Sequence, residues 1–203
     1  MITVIDLKIS NITSVCQALK HLKIDHAVTD KPAGIEQASK LILPGVGDFA
    51  EAMRRMQALD LIEPIRQAVV QKKVPIMGIC LGMQLFASYG EEGGGSSGLD
   101  LIRGKVLSHR ASQHNLRLPH IGWNDVRSNG MKLFSAVPED VCFYFVHSFE
   151  FIAEEQVQTA TCHYGTDFVA VVQKEHVIGC QFHPEKSQEF GLKLIKNFSE
   201  GIF

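Results

Sequence analysis

The chain has 203 residues, of which 45% are hydrophobic and 21% are charged, and its formal net charge at pH 7 is −2. This composition supplies the core of one folded domain and excludes a disordered chain, and the near-neutral charge gives no reason to expect a nucleic-acid or membrane partner. No apolar run approaches the roughly 18 residues of a transmembrane helix, and the N-terminal MITVIDLK lacks the features of a secretory signal.

The cysteines favour a reducing, cytoplasmic location. They are odd in number and contain no C-x-x-C pair, so we expect neither a disulfide framework nor a zinc site. No other ligand pair has metal spacing, and we therefore predict no metal and no cofactor. The cysteines are Cys16, Cys80, Cys142, Cys162 and Cys180.

The first half of the chain alternates strands and helices. Apolar runs predict the strands, and apolar residues spaced three or four apart predict the helices, the first with Asn11 as its N-cap. Repeated strand–helix units predict a parallel sheet covered by helices on both faces. The predicted strands are 2–7, 40–45 and 74–79, and the predicted helices are 11–22, 48–59, 62–73 and 81–88.

The second half is rich in short strands separated by turns. Its glycine-rich start, 90–98, predicts a flexible loop, and 189–198 predicts a closing amphipathic helix. The whole chain, 1–203, is therefore predicted to be a single α/β domain with an open, mostly parallel sheet flanked by helices and extended by antiparallel strands. The predicted strands of this half are 104–109, 120–126, 141–149, 157–164, 167–173 and 176–183.

Cys80 lies where a predicted strand meets a predicted helix, between Gly78 and Gly82. Such a junction is typical of a nucleophile elbow, in which glycines let neighbouring elements approach a sharp turn. The helix N-terminus favours the thiolate, and the N–H of Leu81 is a candidate donor to an oxyanion. The alternative interpretation is a buried structural cysteine.

His183 is a candidate base because it ends a predicted strand, and reactive groups of open α/β sheets gather at the carboxyl ends of strands. Glu185 follows two residues later and could orient the imidazole, as the third member of a triad does. The alternative is an ordinary exposed turn. A further glycine-containing loop, 43–49, lies at the same edge but matches neither a phosphate loop nor a dinucleotide fingerprint.

These pieces resemble the class I, triad-type glutamine amidotransferases, and most closely those glutaminase subunits that serve a separate cyclase. The similarity covers residues 43–187, and GICLGMQ together with HPE favours glutamine over the substrate of a cysteine peptidase. A non-catalytic binding module on this fold would lack a triad member, and none is missing. The segments that carry it are LPGVGDF, MGICLGMQL, LPHIGWN, YFVHSF, YG-x-x-F-x-A-x-VQK and QFHPEKS.

The resemblance implies that the chain hydrolyses L-glutamine and forms a heterodimer with a (β/α)8-barrel cyclase. That cyclase would use the ammonia to make imidazole glycerol phosphate and aminoimidazole carboxamide ribotide in histidine biosynthesis. The resemblance implies a catalytic triad of Cys80, His183 and Glu185, with oxyanion donors from Leu81, Val46 and Gly47. It implies glutamine contacts at Gln84, Glu92, Ser148 and Phe149, and a partner interface at Trp123, Asn124, Tyr144 and Lys186.

Several of these assignments have plainer alternatives. Gln84 could be an exposed helix residue, Glu92 an ordinary loop acid, and Trp123 a core residue. The first turn also departs from the family pattern D-x-G-x-x-N-L, because Asp6 and Asn11 are kept but Leu-Lys-Ile-Ser lies between them. This departure leaves open a paralogue that supplies ammonia to a different barrel-type synthase, for example one that amidates a surface sugar.

Overall fold

The computed structural model describes residues 1–9, 12–139 and 141–203, so the predicted N-cap Asn11 lies outside the described residues. Its strands are β1 (Ile2–Ile5), β2 (His26–Thr29), β3 (Leu41–Gly45), β4 (Ile76–Cys80), β5 (Tyr89–Gly90), β6 (Ser96–Ser97), β7 (Gly104–Ser108), β8 (His120–Arg127), β9 (Val141–His147), β10 (Phe149–Ala153), β11 (Gln158–Tyr164), β12 (Thr166–Lys174) and β13 (Val177–Cys180). Its α-helices are α1 (Ile12–His21), α2 (Pro32–Glu36), α3 (Phe49–Ala58), α4 (Ile62–Arg66), α5 (Leu81–Gln84) and α6 (Gln188–Glu200).

A mixed nine-stranded sheet forms the centre of the fold, in the order β2-β1-β3-β4-β13-β12-β11-β8-β9. The strands from β2 to β13 run parallel, and those from β12 to β9 are antiparallel to their neighbours. The predicted α/β class with an antiparallel extension is therefore confirmed. A second sheet, β10-β7-β5-β6, was not predicted, because its strands are short and pair across long sequence separations.

Two apolar clusters cover the opposite faces of the central sheet. Along β3, Leu41 and Leu43 belong to one cluster and Ile42 belongs to the other, as the alternation of side chains in a strand requires. Phe49, at the start of α3, packs in the first cluster, and Phe198 of α6 packs in the second. No helix in the described ranges is long and apolar enough to cross a membrane.

The predicted helix 81–88 is wrong in its length, because α5 ends after one turn. The backbone carbonyls of Leu85 and Phe86 accept hydrogen bonds from the N–H groups of Leu99 and Leu101 instead of continuing a helix. Leu85 and Phe86 are fully buried, so tertiary packing overrides the local pattern.

The predicted flexible loop 90–98 is also wrong in part, because it contains paired structure. Tyr89 and Gly90 of β5 pair with Ser97 and Ser96 of β6, with a 3-10 turn at Glu92–Gly94 between them. The glycines of the turn have positive φ values, which glycine adopts at little cost. The turn lies against the start of α3, where a Cβ on Gly93 would overlap the Asp48 carboxylate. The predicted helix 62–73 is a shorter α4 followed by a π-helical turn, Gln67–Gln71.

Candidate active site

Cys80 is held in a strained turn between β4 and α5. Its φ of +54° and ψ of −112° lie where a residue with a side chain is rarely found, so the predicted sharp turn is present. A Cβ on Gly82 would overlap the carbonyl oxygen of Leu43, and a Cβ on Gly78 would lie 2.6 Å from backbone atoms of Gly82. The glycines therefore allow α5 to pack directly on β3 and β4.

The surroundings of the Cys80 sulfur differ from the expectation in one respect. Because α5 has a single turn, its dipole is smaller than that of the predicted two-turn helix, and it contributes less to thiolate stability. Two polar groups approach Sγ: the Val146 carbonyl oxygen at 3.7 Å and Nε2 of Gln181 at 3.8 Å. The Gln181 amide can donate to a thiolate, a contact that the sequence did not predict.

His183 and Glu185 form a buried pair beside this thiol. His183 Nδ1 lies 2.8 Å from Glu185 Oε1, and the two side chains are only 3% and 4% exposed, so the exposed-turn alternative is wrong. The His183 backbone is fixed on both sides, since its N–H donates to the Tyr144 carbonyl and its carbonyl accepts from Ser187 Oγ. Adjacent parallel strands β4 and β13 bring this turn next to Cys80.

The charge state of this pair follows from its contacts. Burial disfavours an imidazolium, but the Cys80 sulfur and the Glu185 carboxylate beside the ring outweigh that cost and raise the pKa of His183 to about 9. Nε2 of His183 and Oε2 of Glu185 are buried and make no hydrogen bond within the described part of the chain. The raised pKa therefore favours proton transfer to the ring, and Nε2 is the nitrogen without a partner that can receive the proton.

We expect this raised pKa to make folding stability fall with rising pH. The ordinary pKa of 6.5 applies to the unfolded chain, so the contribution of the protonated ring is complete below pH 6.5 and is lost as the pH rises through about 9. Urea unfolding at pH 6, 7.5 and 9.5 should show wild type losing about 3 kcal/mol more than His183→Asn. Parallel pH curves for the two proteins would contradict the raised pKa.

The predicted residues meet around one cavity of about 240 Å³. The catalytic, oxyanion and glutamine candidates all line it, except Glu185, which contacts it through His183. Val146 and His147 also line it and were missed, although both lie in the YFVHSF segment. The lining residues are Val46, Gly47, Cys80, Leu81, Gln84, Glu92, Val146, His147, Ser148, Phe149 and His183.

Two predicted glutamine contacts are held firmly in this wall. Gln84 is buried, and its Nε2 donates to Gln181 Oε1 at 3.0 Å and to the Phe149 carbonyl at 3.3 Å, so the exposed-helix alternative is wrong. The Glu92 carboxylate accepts the N–H of Phe49 at 3.1 Å, and burial raises the pKa of Glu92. Both side chains are therefore oriented before any ligand binds.

The peptide between Val46 and Gly47 forms the opposite wall. Gly47 has a φ of +99°, and a Cβ built there would meet nothing within 4 Å. Glycine is the residue that adopts this backbone conformation without strain, and the space around it leaves room for the peptide to rotate. The backbone amide of this segment can therefore serve as an oxyanion donor in one orientation and turn away in another.

The predicted interface residues, from β8, β9 and the turn at Pro184–Lys186, fall on two faces of the central sheet. Trp123 is 48% exposed, so the core alternative is wrong, and its ring centroid lies 6.1 Å from that of Tyr144. Lys186 Nζ lies 5.8 Å from the Tyr144 centroid, a cation–π distance. Asn124 points to the other face, where its Nδ2 donates to the His163 carbonyl at 2.9 Å. The structure therefore separates Asn124 from the group formed by Trp123, Tyr144 and Lys186.

The family model described as glutamine amidotransferase class-I matches residues 3–201. The chain belongs to the class-I glutamine amidotransferases. The membership predicted from the six sequence segments is thus confirmed, and the chain is an enzyme of the glutamine-using type. No group of three or more side chains suited to hold a metal ion occurs among the described residues.

Curated members of this family are similar over nearly their full length. An imidazole glycerol phosphate synthase subunit HisH 1 of Campylobacter jejuni is 43% identical over 199 residues, 98% of each chain. The HisH subunit of Moorella thermoacetica is 45% identical over 201 residues, 98% of this chain and 94% of that protein. Within the class-I amidotransferases, the chain therefore belongs with the HisH subunits.

Solved structures support the same fold at lower sequence similarity. A glutamine amidotransferase crystal structure superposes with a TM-score of 0.77 at 20% identity and covers 98% of this chain and 97% of its own. A chain in the structure of PurLQS from Thermotoga maritima gives a TM-score of 0.73 at 20% identity, covering 100% and 98%. At these identities the likeness concerns the fold alone.

Proposed function

We propose that this chain is a glutaminase subunit that hydrolyses L-glutamine to glutamate and ammonia and delivers the ammonia to a separate cyclase. The observation that carries the proposal is the meeting of a strained, pocket-facing Cys80 with the buried His183–Glu185 pair. The names of the similar HisH subunits point to imidazole glycerol phosphate synthase as the enzyme in which this activity operates.

The first half-reaction forms a thioester. His183 takes the proton of the Cys80 thiol, and Glu185 orients the ring and stabilises the imidazolium that forms. The thiolate attacks the side-chain amide carbon of glutamine, and the carbonyl oxygen becomes an oxyanion. The backbone N–H of Leu81 and an amide of the Val46–Gly47 segment stabilise that oxyanion, since both line the cavity beside the sulfur.

The second half-reaction releases the products. His183 donates its proton to the leaving nitrogen, which departs as ammonia, and the acyl group stays on Cys80 as a γ-glutamyl thioester. His183 then accepts a proton from water, the hydroxide attacks the thioester carbonyl, and glutamate leaves as the proton returns to the sulfur. Gln84, Glu92 and the backbone at 148–149 hold the amino-acid end of the substrate.

The partner proposed here is a (β/α)8-barrel cyclase bound as a heterodimer. Ammonia released into water would take up a proton and cease to be a nucleophile, so a closed route to a second active site is needed. The exposed Trp123 with Tyr144 and Lys186 forms an apolar and cationic surface, which continues into the exposed Ile121 of the same strand. An exposed tryptophan is the residue type most often found as an interface anchor.

The experiment that tests the proposal is a coupled assay with the cyclase encoded in the same genome. Glutamate formation is measured for the chain alone, with the cyclase, and with the cyclase and its acceptor substrate. The proposal predicts glutamate in proportion to cyclase product in the complete mixture. Absence of glutamate in all three mixtures would reject the glutaminase function, and glutamate without cyclase product would reject the partner.

We expect Trp123→Ala to impair coupling to the partner more than folding. Removal of a half-exposed anchor should weaken complex formation by about 2 kcal/mol, or roughly 30-fold in Kd, and leave the thermal midpoint almost unchanged. Calorimetric titration with the cyclase and a thermal melt of the free chain give the two measurements. Ile121→Ala is the matched neighbour on the same face, and Asn124→Ala probes the opposite face. A lowered midpoint with unchanged Kd would contradict the interface role.

A second candidate acceptor is favoured by the turn after β1. Lys8 has a φ of +61°, a conformation suited to glycine, and its Nζ lies 2.9 Å from Asp6 Oδ2 and 3.1 Å from Asp30 Oδ2. This ion-paired turn replaces the glycine turn of the family pattern and lies at the same sheet edge as the active site. This turn favours a paralogue that supplies ammonia to another barrel-type synthase. The coupled assay, repeated with that synthase, distinguishes this acceptor from the cyclase.

A further inference from the structure

A row of hydrogen-bonded side chains leads from β8 to the wall of the cavity. Asn124 Nδ2 lies 3.3 Å from His120 Nε2, and His120 Nδ1 lies 3.1 Å from His147 Nε2. His147 Nδ1 in turn lies 2.9 Å from the carbonyl oxygen of Phe149. We call Asn124, His120 and His147 the imidazole row, and it ends on a backbone group that belongs to the cavity lining.

The direction of every hydrogen bond in the imidazole row follows from its end. A carbonyl oxygen only accepts, so Nδ1 of His147 must carry the proton. A neutral imidazole has one donor and one acceptor, so Nε2 of His147 accepts from Nδ1 of His120. Nε2 of His120 then accepts from the Asn124 amide. One tautomer of each ring gives every ring nitrogen of the row a hydrogen-bond partner. The hydrogen bonds of the row therefore run in one direction.

The environment keeps both rings in that neutral form. His120 and His147 are 4% and 6% exposed. Burial, assisted by the neighbouring histidines, lowers the pKa of His120 to about 4 and that of His147 to about 3. Neither ring carries a charge at neutral pH, so neither competes with His183 for the proton of the thiol.

The imidazole row, Gln84 and His109 together fix two neighbouring peptides of the cavity wall. The Phe149 carbonyl accepts from His147 Nδ1 and also from Gln84 Nε2, and the Ser148 carbonyl accepts the N–H of His109. Both carbonyl groups are therefore held by protein donors, although Ser148 and Phe149 line the cavity. The orientation of these peptides is set before a ligand arrives.

A packing role alone does not account for this arrangement. Buried imidazoles cost free energy unless they are fully hydrogen-bonded, whereas aliphatic side chains fill the same space without that cost. We propose that His147 and His120 are positioning residues, which hold the 148–149 backbone in the orientation that binds the amino-acid end of glutamine. This inference rests on the proposed glutaminase function, and it adds residues that do not touch the reacting atoms.

Two reagents for Cys80 separate substrate positioning from nucleophile chemistry. The glutamine analogue 6-diazo-5-oxo-L-norleucine alkylates the thiolate only after its amino-acid end has bound. Iodoacetamide alkylates the same thiolate and carries no amino-acid end. The rates of Cys80 modification are followed by intact mass, with a Cys80→Ala sample to subtract other cysteines, in the complex with the cyclase.

For His147→Leu we expect the rate constant with the glutamine analogue to fall about tenfold or more, because the Phe149 carbonyl loses the closer of its two donors and keeps only Gln84. The iodoacetamide rate should stay within about twofold, because Cys80 and His183 keep their contacts. His147→Asn keeps a donor near the position of Nδ1 and should lie closer to wild type. His120→Leu leaves His147 in place and should also react more slowly with the glutamine analogue alone, but by a smaller factor. This variant tests the proposal if His147→Leu does not fold.

His26→Leu is the matched control. Its Nδ1 also contacts a backbone carbonyl two residues away, that of Ile24, but β2 is the far edge strand of the central sheet. It should change neither rate. Equal losses with both reagents in the His147 and His120 variants, or no loss with either, would overturn the positioning role. Wild type that reacts with iodoacetamide and not with the glutamine analogue would instead reject the proposed function.

Discussion

Cys80→Ala is expected to abolish glutamine-dependent product formation, with a loss of about 10⁴-fold or more, because no other group can form the thioester. Product formation from added ammonium salt should remain at the wild-type level, since the partner carries out that step. The measurement is cyclase product formation in the complex with either nitrogen source. Folding should be intact, because the substitution removes one atom group from a site that α5 and β4 already define.

Cys142→Ala is the matched control, since Cys142 is exposed and lies on β9 away from the cavity lining. It should leave both activities unchanged. His183→Asn should resemble Cys80→Ala, and Glu185→Gln should be milder, because it removes orientation and charge and leaves the base. Glutamine-dependent activity that survives Cys80→Ala would refute the assignment of the nucleophile.

Gly82→Ala is expected to produce the largest loss of folding stability, about 3 kcal/mol or more. The added Cβ would overlap the Leu43 carbonyl oxygen, which is backbone in a central strand and cannot move aside without displacing β3. Urea unfolding of the free chain gives the free energy of unfolding. A modest loss would show that α5 can shift outward, and Cys80 would then lose its strained position and its reactivity together.

The control for this substitution is Gly130→Ala. Gly130 has a φ of +74°, and a Cβ there would meet nothing within 4 Å, so only backbone strain of about 1 kcal/mol is expected. The difference between the two variants isolates the steric overlap. Equal destabilisation of Gly82→Ala and Gly130→Ala would contradict the close packing described at the elbow.

The parts of the site that local patterns encode could be predicted from the sequence. Glycines at 78 and 82 mark the elbow, and the apolar run before His-Pro-Glu predicts the strand that brings His183 to the edge where parallel strands meet. The predicted strand 176–183 is too long, because β13 ends at Cys180. The pairing of His120 with His147 could not be predicted in this way, because it depends on the register of β8 against β9 across 27 residues. A histidine pattern within either strand carries no sign of its partner.

The end of α5 also could not be predicted from the local sequence pattern. Residues 81–88 have a helical pattern, yet Leu85 and Phe86 leave the helix because segment 99–102 supplies their carbonyl groups with donors. The fold class and the candidate triad could be predicted because their sequence signals are local and lie at the ends of strands. The second sheet and the outer wall of the cavity rest on contacts between distant segments, which a single sequence does not display.

The alternation of side chains along β8 has a consequence for how this protein can change. Ile121 and Trp123 point outward, and His120 and Asn124 point inward, so a single strand carries part of the exposed face and part of the imidazole row. Inserting or deleting one residue inside β8 would exchange the two sets of side chains and damage both roles in one step. Changes of length are better tolerated in the connection just before β8, at 115–119, where no such alternation has to be kept.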